Sequence, residues 1–352
     1  MNKLIAADKI VFFIAMALIA FNASAQKPKL TGYIKGVNDK PIVFGYSQKG
    51  KDHMDTVYAK NDHFVYFPKP TDDGMIRLTI NPARSTRFWY ESGDIDLIGF
   101  IEKPYALTVK GGTENNILTN YNTTINWPYV DKMRTLSRSD FEAAIEERRK
   151  ATLDFIAKYP NARTSANLLE QETHHSDNDI NIFEKLFASF SPSVKKSSDG
   201  QEVEKRISII KNQPVVGKKA IDFTLADTSG KKVTLSSFQG KYVLLDFWGH
   251  WCSPCIGAFP DLVKIHEQYA DKLVMIGVAA EYNDDKKLWT KAIKKGNATW
   301  IQVSELEGDR GKVNTKYNIV EFPTYFLLDP NGMVVSRVNH VDELKKVLEV
   351  VK

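Results

Sequence analysis

The sequence predicts an all-β, sandwich-like region, then a helical connector, then an α/β domain. Residues 26–114 contain short runs of alternating apolar and polar residues, which are typical of half-buried strands. Residues 115–212 change to the spacing of amphipathic helices, and residues 213–352 alternate apolar strands with helices. With 352 residues, 43% of them hydrophobic and 26% charged, the chain is long enough for more than one domain with an ordinary core.

The first part of the chain, residues 1–25, has the composition of a secretory signal peptide. A short basic segment at the start contains Lys3 and Lys9. The apolar run Ile10–Phe21 follows, and the small residues Ala23–Ala25 come next. The apolar run is shorter than the roughly 20 residues of a membrane-spanning helix. We therefore expect cleavage after Ala25 and export to the periplasm or cell envelope, with no stable membrane insertion afterwards. An uncleaved membrane anchor is the alternative.

The strand-like runs of residues 26–114 are separated by Gly, Asp, Asn and Pro, which predicts an antiparallel β-sandwich or a small barrel. These runs carry the aromatic residues Tyr33, Phe44, Tyr46, Phe64, Tyr66, Phe88, Trp89 and Tyr90. At alternating strand positions such rings are expected in the core and in cross-strand pairs. A sugar- or peptide-binding surface is the alternative.

Residues 115–212 predict several helices that open on Ser or Asp as N-caps. Ser139 is expected to cap the clearest helix, which ends before Pro160. His174 and His175 are expected on the surface, because adjacent residues on a helix point in different directions and make a poor metal site.

From residue 213 onward, strands and helices alternate. KYVLLDFW is a continuous apolar run of the kind found in a strand buried on both faces, and PTYFLLDPNGMVVSRV predicts a hairpin with an Asn-Gly turn. The net charge of +5 is small for the length and is spread along the chain, so nucleic-acid binding is not expected.

The chain contains two cysteines, Cys252 and Cys255, just after the strand KYVLLDFW and at the start of a predicted helix. Open α/β sheets place their sites at this end of a strand, and a helix N-terminus favours a thiolate. A bridge that closes so short a loop contributes little stability, and one C-x-x-C supplies two of the four ligands of a zinc site. We predict a reversible dithiol–disulfide couple and no metal; an inert disulfide and half of a zinc site are the weaker alternatives.

The stretch LLDFWGHWCSPC resembles the active-site segment of thioredoxin-like proteins. The wider C-terminal region is similar to exported TlpA/ResA-like thiol–disulfide oxidoreductases, through GKKAIDFTLADTSGKKVTLSSFQGKYVLLDFWGHWCSPC, Pro260 and KYNIVEFPTYFLLDPNG. The N-terminal segments DTVYAKNDHFVYFP and WYESGDIDLIG look like the β domain that often precedes this module. The resemblance implies a thioredoxin-like fold for residues 213–352.

The resemblance also implies roles for the residues around the cysteines. Cys252 would attack a substrate disulfide and Cys255 would resolve the mixed disulfide. Asp246 stands where thioredoxins place a buried acid, and its apolar neighbours independently predict burial. Burial would raise its pKa and suit it to accept the proton of Cys255. An Asp that is merely tolerated and linked to water is the alternative.

Further residues are implied to bind the substrate. Pro323 matches the cis-proline whose loop faces the cysteines, and Phe322 precedes it where Ile is common. Trp251 resembles the indole that lines the substrate groove. Glu281 follows the strand KLVMIGVAA, in a place comparable to that of an active-site Glu of ResA-like proteins; an ordinary loop acid is the alternative.

The chain departs from the family pattern at three points near the cysteines. PCIGAFP stands in place of the usual PCRxExP, so Ile256 and Ala258 replace the common Arg and Glu. His250, two residues before Cys252, is unusual; it could stabilise a thiolate or lie on the surface. These changes do not affect the residues that carry out the exchange chemistry, but they leave the identity of the substrate undetermined.

Together these features predict an exported thiol–disulfide oxidoreductase that reduces or isomerises disulfides of envelope proteins, with cytochrome c maturation as one setting. A membrane thiol-reductant transporter would supply electrons, and no cofactor is implied because the dithiol carries them. One alternative is a binding module whose β domain recruits a protein or glycan while redox activity is secondary. A peroxiredoxin-like peroxidase fits less well, because its P-x-x-x-T-x-x-C pattern is absent.

Overall fold

The computed structural model describes residues 28–81, 84–103, 105–175 and 179–351. The predicted signal peptide, residues 1–25, lies outside them. The chain divides into two compact units, Met1–Pro128 and Tyr129–Lys352. No helix in the described ranges is long and apolar enough to cross a membrane.

The first unit is a β-sandwich. Its strands are β1 Lys29–Lys35, β2 Pro41–Gln48, β3 Lys51–Tyr58, β4 His63–Tyr66, β5 Met75–Asn81, β6 Arg84–Trp89, β7 Asp94–Phe100 and β8 Thr108–Lys110. They form two four-stranded sheets, in the orders β4-β1-β7-β8 and β3-β2-β5-β6. The strands β1 and β7 pair in parallel, contrary to the antiparallel expectation, because the chain reaches β7 by a crossover from β6 of the second sheet and not by a hairpin from β1.

Aromatic side chains join the two sheets of this unit. Phe44 of β2 stacks on Tyr66 of β4 with ring centroids 3.9 Å apart. The buried rings are Phe44, Tyr46, Phe64, Tyr66, Phe88 and Trp89, whereas Tyr33 and Tyr90 are half-buried. The prediction that these rings form the core is therefore confirmed for most of them.

Helices follow the sandwich, as predicted. They are α1 Thr113–Tyr121, a π-helical turn Asn122–Asn126, α2 Trp127–Met133, α3 Arg138–Lys158, α4 Arg163–Glu172, α5 Ile180–Ser189, α6 Pro192–Lys195 and α7 Ser198–Asn212. The cap of α3 is Ser137, whose side chain accepts a hydrogen bond from the Asp140 N–H at 3.4 Å. The prediction of Ser139 as the cap is wrong by two residues, because Ser139 already lies within the first turn of α3. A capping side chain accepts from the N–H three residues later, and for the Asp140 N–H that residue is Ser137.

The α/β part of the second unit is a seven-stranded sheet with helices. Its strands are β9 Thr224–Asp227, β10 Lys232–Thr234, β11 Tyr242–Trp248, β12 Leu273–Ala279, β13 Ile301–Ser304, β14 Thr324–Leu328 and β15 Val334–Val338. Its α-helices are α8 Ser253–Gln268, α9 Lys286–Lys295, α10 Lys312–Lys316 and α11 Val341–Val347. Short 3₁₀ turns span Leu235–Phe238, Asn283–Asp285, Gly308–Arg310 and Leu348–Val350. The sheet order is β10-β9-β13-β12-β11-β14-β15.

The strand β11 lies inside this sheet, parallel to β12 and antiparallel to β14. On one face, Leu244 and Trp248 belong to the apolar cluster that contains both cysteines. On the other face, Val243, Leu245 and Phe247 belong to a second cluster. The continuous apolar run therefore forms a strand buried on both faces, as predicted.

The last connector helix is tied to the α/β part of the same unit. The buried Arg206 of α7 donates to the Thr173 carbonyl at 3.0 Å and to Asn318 Oδ1 at 2.8 Å. Gln213 Oε1 accepts from Asn318 Nδ2 at 3.0 Å and from Arg337 Nη1 at 2.8 Å. Because these groups are largely buried and satisfy one another, they fix α7 against the segment that leads into β14.

Candidate active site

Cys252 and Cys255 lie at the turn from β11 into α8 and are joined by a disulfide, with their Cα atoms 5.3 Å apart. Cys252 is the N-cap of α8, and its Sγ accepts a hydrogen bond from the Cys255 N–H at 3.2 Å. Pro254 occupies the first turn, where a missing N–H is not needed. On reduction, the N–H groups of this helix end therefore favour the thiolate form of Cys252.

The loop before Cys252 folds an indole over a glycine. A Cβ at position 249 would come within 2.6 Å of the Trp251 ring, so Gly249 makes this close approach feasible. The Trp251 Nε1–H donates to the Ala280 carbonyl at 3.1 Å. The ring is still 47% exposed. Trp251 therefore presents a fixed, accessible aromatic surface next to the first cysteine.

The segment before β14 meets this surface. The Phe322–Pro323 peptide bond is cis, as the resemblance implies. The Phe322 ring lies edge-on to Trp251, with centroids 5.2 Å apart. Thr324 Oγ1 donates to the Glu321 carbonyl at 2.8 Å and closes the turn around the proline. Phe322 and Trp251 thus form one aromatic edge beside Cys252, and their part in substrate binding stays a prediction.

Asp246 lies on β11, where strand alternation places it on the same face as Leu244 and Trp248 and hence on the side of the cysteines. It is 1% exposed, and neither carboxylate oxygen has a hydrogen-bond partner among the described residues. Desolvation by burial raises the pKa of Asp246 to about 7. A carboxyl group with this pKa can take up or release a proton near neutral pH, as general acid–base work requires.

Tyr325 is a neighbour of Asp246 that the sequence reasoning missed. It pairs with Asp246 across β11 and β14 and is fully buried. Burial, and then the charge of Asp246, raise the pKa of Tyr325 above its usual range, so its phenol stays neutral. The cross-strand neighbour of Asp246 is therefore a neutral phenol and not a cation, and no charged group among the described residues offsets the desolvation of its carboxylate. The continuous run TYFLL directly after Pro323 was the available signal.

Glu281 is fully buried two residues after the end of β12 and holds the loop that leads to the cysteines. Its Oε1 accepts from the His250 backbone N–H at 2.7 Å, and its Oε2 lies 2.5 Å from His250 Nδ1. The structure thus brings Glu281 to His250, two residues before Cys252. A direct part for Glu281 in the exchange reaction stays a prediction. The sequence reasoning singled out both residues without joining them.

Two regions of the chain match known protein families. Residues 216–337 match the AhpC/TSA family, and residues 29–118 match a domain of unknown function, DUF4369. Thioredoxin-like protein YneN of Bacillus subtilis (strain 168) is 34% identical over 121 residues, which are 34% of this chain and 68% of that protein. Thiol-disulfide oxidoreductase ResA of Bacillus thuringiensis subsp. konkukian (strain 97-27) is 33% identical over 134 residues, which are 38% of this chain and 75% of that protein.

A similar solved structure is the thioredoxin domain of a thiol-disulfide oxidoreductase from Bacteroides vulgatus. It is 34% identical, with a TM-score of 0.36, and the match covers 39% of this chain and 99% of that one.

Proposed function

Because this chain belongs to the ResA-like family of thioredoxin-fold thiol–disulfide oxidoreductases, we propose that Cys252 and Cys255 are its exchanging pair and that it reduces disulfides of exported proteins. The observation that carries the proposal is the pair's position at the N-terminus of α8, on the same face of the sheet as the buried Asp246. The predicted signal peptide supports an envelope location. Cytochrome c maturation is one setting that fits such an enzyme.

The reaction proceeds in two exchange steps. The Cys252 thiolate attacks one sulfur of the substrate disulfide; a bond forms between enzyme and substrate, and the first substrate sulfur leaves and takes up a proton. Cys255 then gives its proton to Asp246 and attacks Cys252 Sγ. The enzyme disulfide forms, the second substrate thiol leaves, and the two electrons of the dithiol have passed to the substrate. A membrane thiol-reductant transporter restores the dithiol.

The residues between the cysteines favour the reducing direction. Ser253 and Pro254 place no charged group there, so the thiolate depends mainly on the helix end for its stabilisation. A pair whose reduced form is less stabilised is the stronger reductant. Isomerisation of misoxidised disulfides shares the first step: another thiol of the substrate then displaces Cys252 from the mixed disulfide, so the substrate regains a disulfide in a different pairing and the enzyme regains its dithiol.

Reduction of insulin disulfides by residues 26–352 tests the proposal, with Cys252→Ser and Cys255→Ser as the matched variants. We expect turnover by the wild type, none by Cys252→Ser, and a stable mixed disulfide with Cys255→Ser that intact-mass measurement detects. Wild-type turnover that survives Cys252→Ser would overturn the assignment of the nucleophile. In an envelope extract, the proteins trapped by Cys255→Ser would be the physiological substrates.

A further inference from the structure

A groove of about 890 Å³ lies within the second unit, between the connector helices and the segment that leads into β14. Side chains of α4 and α7 line one wall, and residues 309–322 line the other. At one end the groove reaches Phe322, whose ring contacts Trp251 beside Cys252. The groove is therefore continuous with the aromatic edge of the active site.

The lining of the groove is predominantly cationic, with five Lys or Arg side chains against three carboxylates. Arg310, Lys312 and Lys316 are exposed and make no salt bridge within the described part of the chain. Unpaired cations along one wall attract a negatively charged ligand and disfavour a positively charged one.

The carboxylates of the groove already have partners. Glu202 pairs with Lys205 at 3.0 Å, Glu170 lies 2.8 Å from His174 Nε2, and Asp309 accepts from the Tyr282 hydroxyl at 3.0 Å. Glu202 and Lys205 neutralise each other, and the remaining lining carries four cations against two carboxylates, an excess of two positive charges.

A buried amide forms part of the groove wall. Asn314 is 3% exposed and lines the groove, and its Nδ2 donates to the Gly308 carbonyl at 3.0 Å. Its Oδ1 has no hydrogen-bond partner among the residues that the structure describes.

The connector wall is held in place before any ligand arrives. Arg206 lines the groove and fixes α7 to Asn318, five residues before Pro323. A preformed wall spares a ligand the cost of ordering it.

We propose that this groove binds an extended, acidic segment of the substrate protein, next to the disulfide that is attacked. The connector helices thereby take part in substrate selection. The inference rests on the proposed function for its biological meaning, whereas the groove's preference for acidic peptide can be measured without any exchange chemistry.

The test uses fluorescent peptides without cysteine that carry a run of Glu, Gln or Lys, with binding to residues 26–352 followed by anisotropy. We expect the Glu peptide to bind about tenfold more tightly than the Gln peptide at low ionic strength, because a few exposed ion pairs contribute a free energy of this size. The difference in affinity should shrink at high salt, which screens these charges. The triple variant Arg310→Ala/Lys312→Ala/Lys316→Ala should abolish the preference. The control Lys231→Ala/Lys232→Ala/Lys241→Ala, which removes three exposed cations that do not line the groove, should retain it.

A second readout separates the two proposals. For peptides that carry a disulfide next to a run of Glu, Gln or Lys, kcat/KM for reduction should follow the binding preference. Reduction of the neutral small molecule hydroxyethyl disulfide should be equal in the wild type and the triple variant. Equal binding of Glu and Gln peptides, or a preference that the triple variant keeps, would overturn the groove proposal even if exchange is intact. Selective binding without any exchange would refute the proposed function alone.

Discussion

Asp246→Asn should make the folded protein more stable at neutral and alkaline pH. Burial raises the pKa of this carboxyl from 3.8 to about 7, a shift of about 3 units, and each unit corresponds to about 1.4 kcal/mol. Between these two pKa values the folded state retains a proton that the unfolded state has released, so the free energy of unfolding falls as pH rises through this window. Above pH 7 the wild type carries the whole cost, about 4 kcal/mol, and Asn carries none of it.

Urea unfolding of the disulfide form between pH 3.5 and 8.5, followed by tryptophan fluorescence, measures this difference. Of the 6 tryptophans, those at positions 248, 251, 289 and 300 report on the second unit. We expect the variant and the wild type to agree near pH 3.5 and to diverge in favour of the variant up to pH 8. The exposed control Asp271→Asn should show no such divergence. A difference that is independent of pH, or one that favours the wild type at pH 8, would refute the reasoning.

The same variant should slow the reaction. Without a carboxylate to take the proton of Cys255, the second exchange step loses general base catalysis, which contributes roughly 100-fold in typical cases. Stopped-flow measurement at pH 7 should therefore show accumulation of the mixed disulfide in Asp246→Asn. Resolution at the wild-type rate would exclude Asp246 as the proton acceptor.

Three further substitutions test the surroundings of the site. Glu281→Gln weakens the buried contact with His250 and should lower the free energy of unfolding by about 1–3 kcal/mol in urea titrations; an unchanged midpoint would contradict this. Trp251→Ala removes the exposed ring beside the first cysteine and should lower kcat/KM for insulin about tenfold, the usual effect of losing a contact residue in a binding site. The same variant should reduce hydroxyethyl disulfide at the wild-type rate. Arg206→Ala leaves Asn318 Oδ1 without its donor and should cost about 2 kcal/mol of unfolding free energy, so a neutral result would show that the contact does not fix the connector.

The predictable part of this fold is the part encoded by short-range pattern. The run KYVLLDFW is apolar on both strand faces, and this alone predicts that β11 is buried and that Asp246 within it is desolvated. The C-x-x-C after it, with Pro254 in the first turn, predicts a helix that begins directly after Cys252. In each case the residues responsible are neighbours in sequence.

The remainder depends on contacts between residues far apart in the chain. Glu281 and His250 are 31 residues apart, and Arg206 and Asn318 are 112 apart. Each pair combines ordinary polar residues that no local periodicity singles out. The parallel pairing of β1 with β7 has the same origin, because the order of strands in a sheet depends on how the whole sandwich closes. Such features are set by tertiary packing, which one sequence does not display.

The reduction potential of the Cys252–Cys255 pair tests the central claim most directly. Equilibration of residues 26–352 with glutathione or dithiothreitol buffers, followed by thiol alkylation and mass measurement, gives the fraction of dithiol at each potential. The account predicts a reversible two-electron transition near that of thioredoxin, about −270 mV. A pair that does not interconvert in these buffers, or one with a transition near the roughly −120 mV of a strong oxidant, would contradict it.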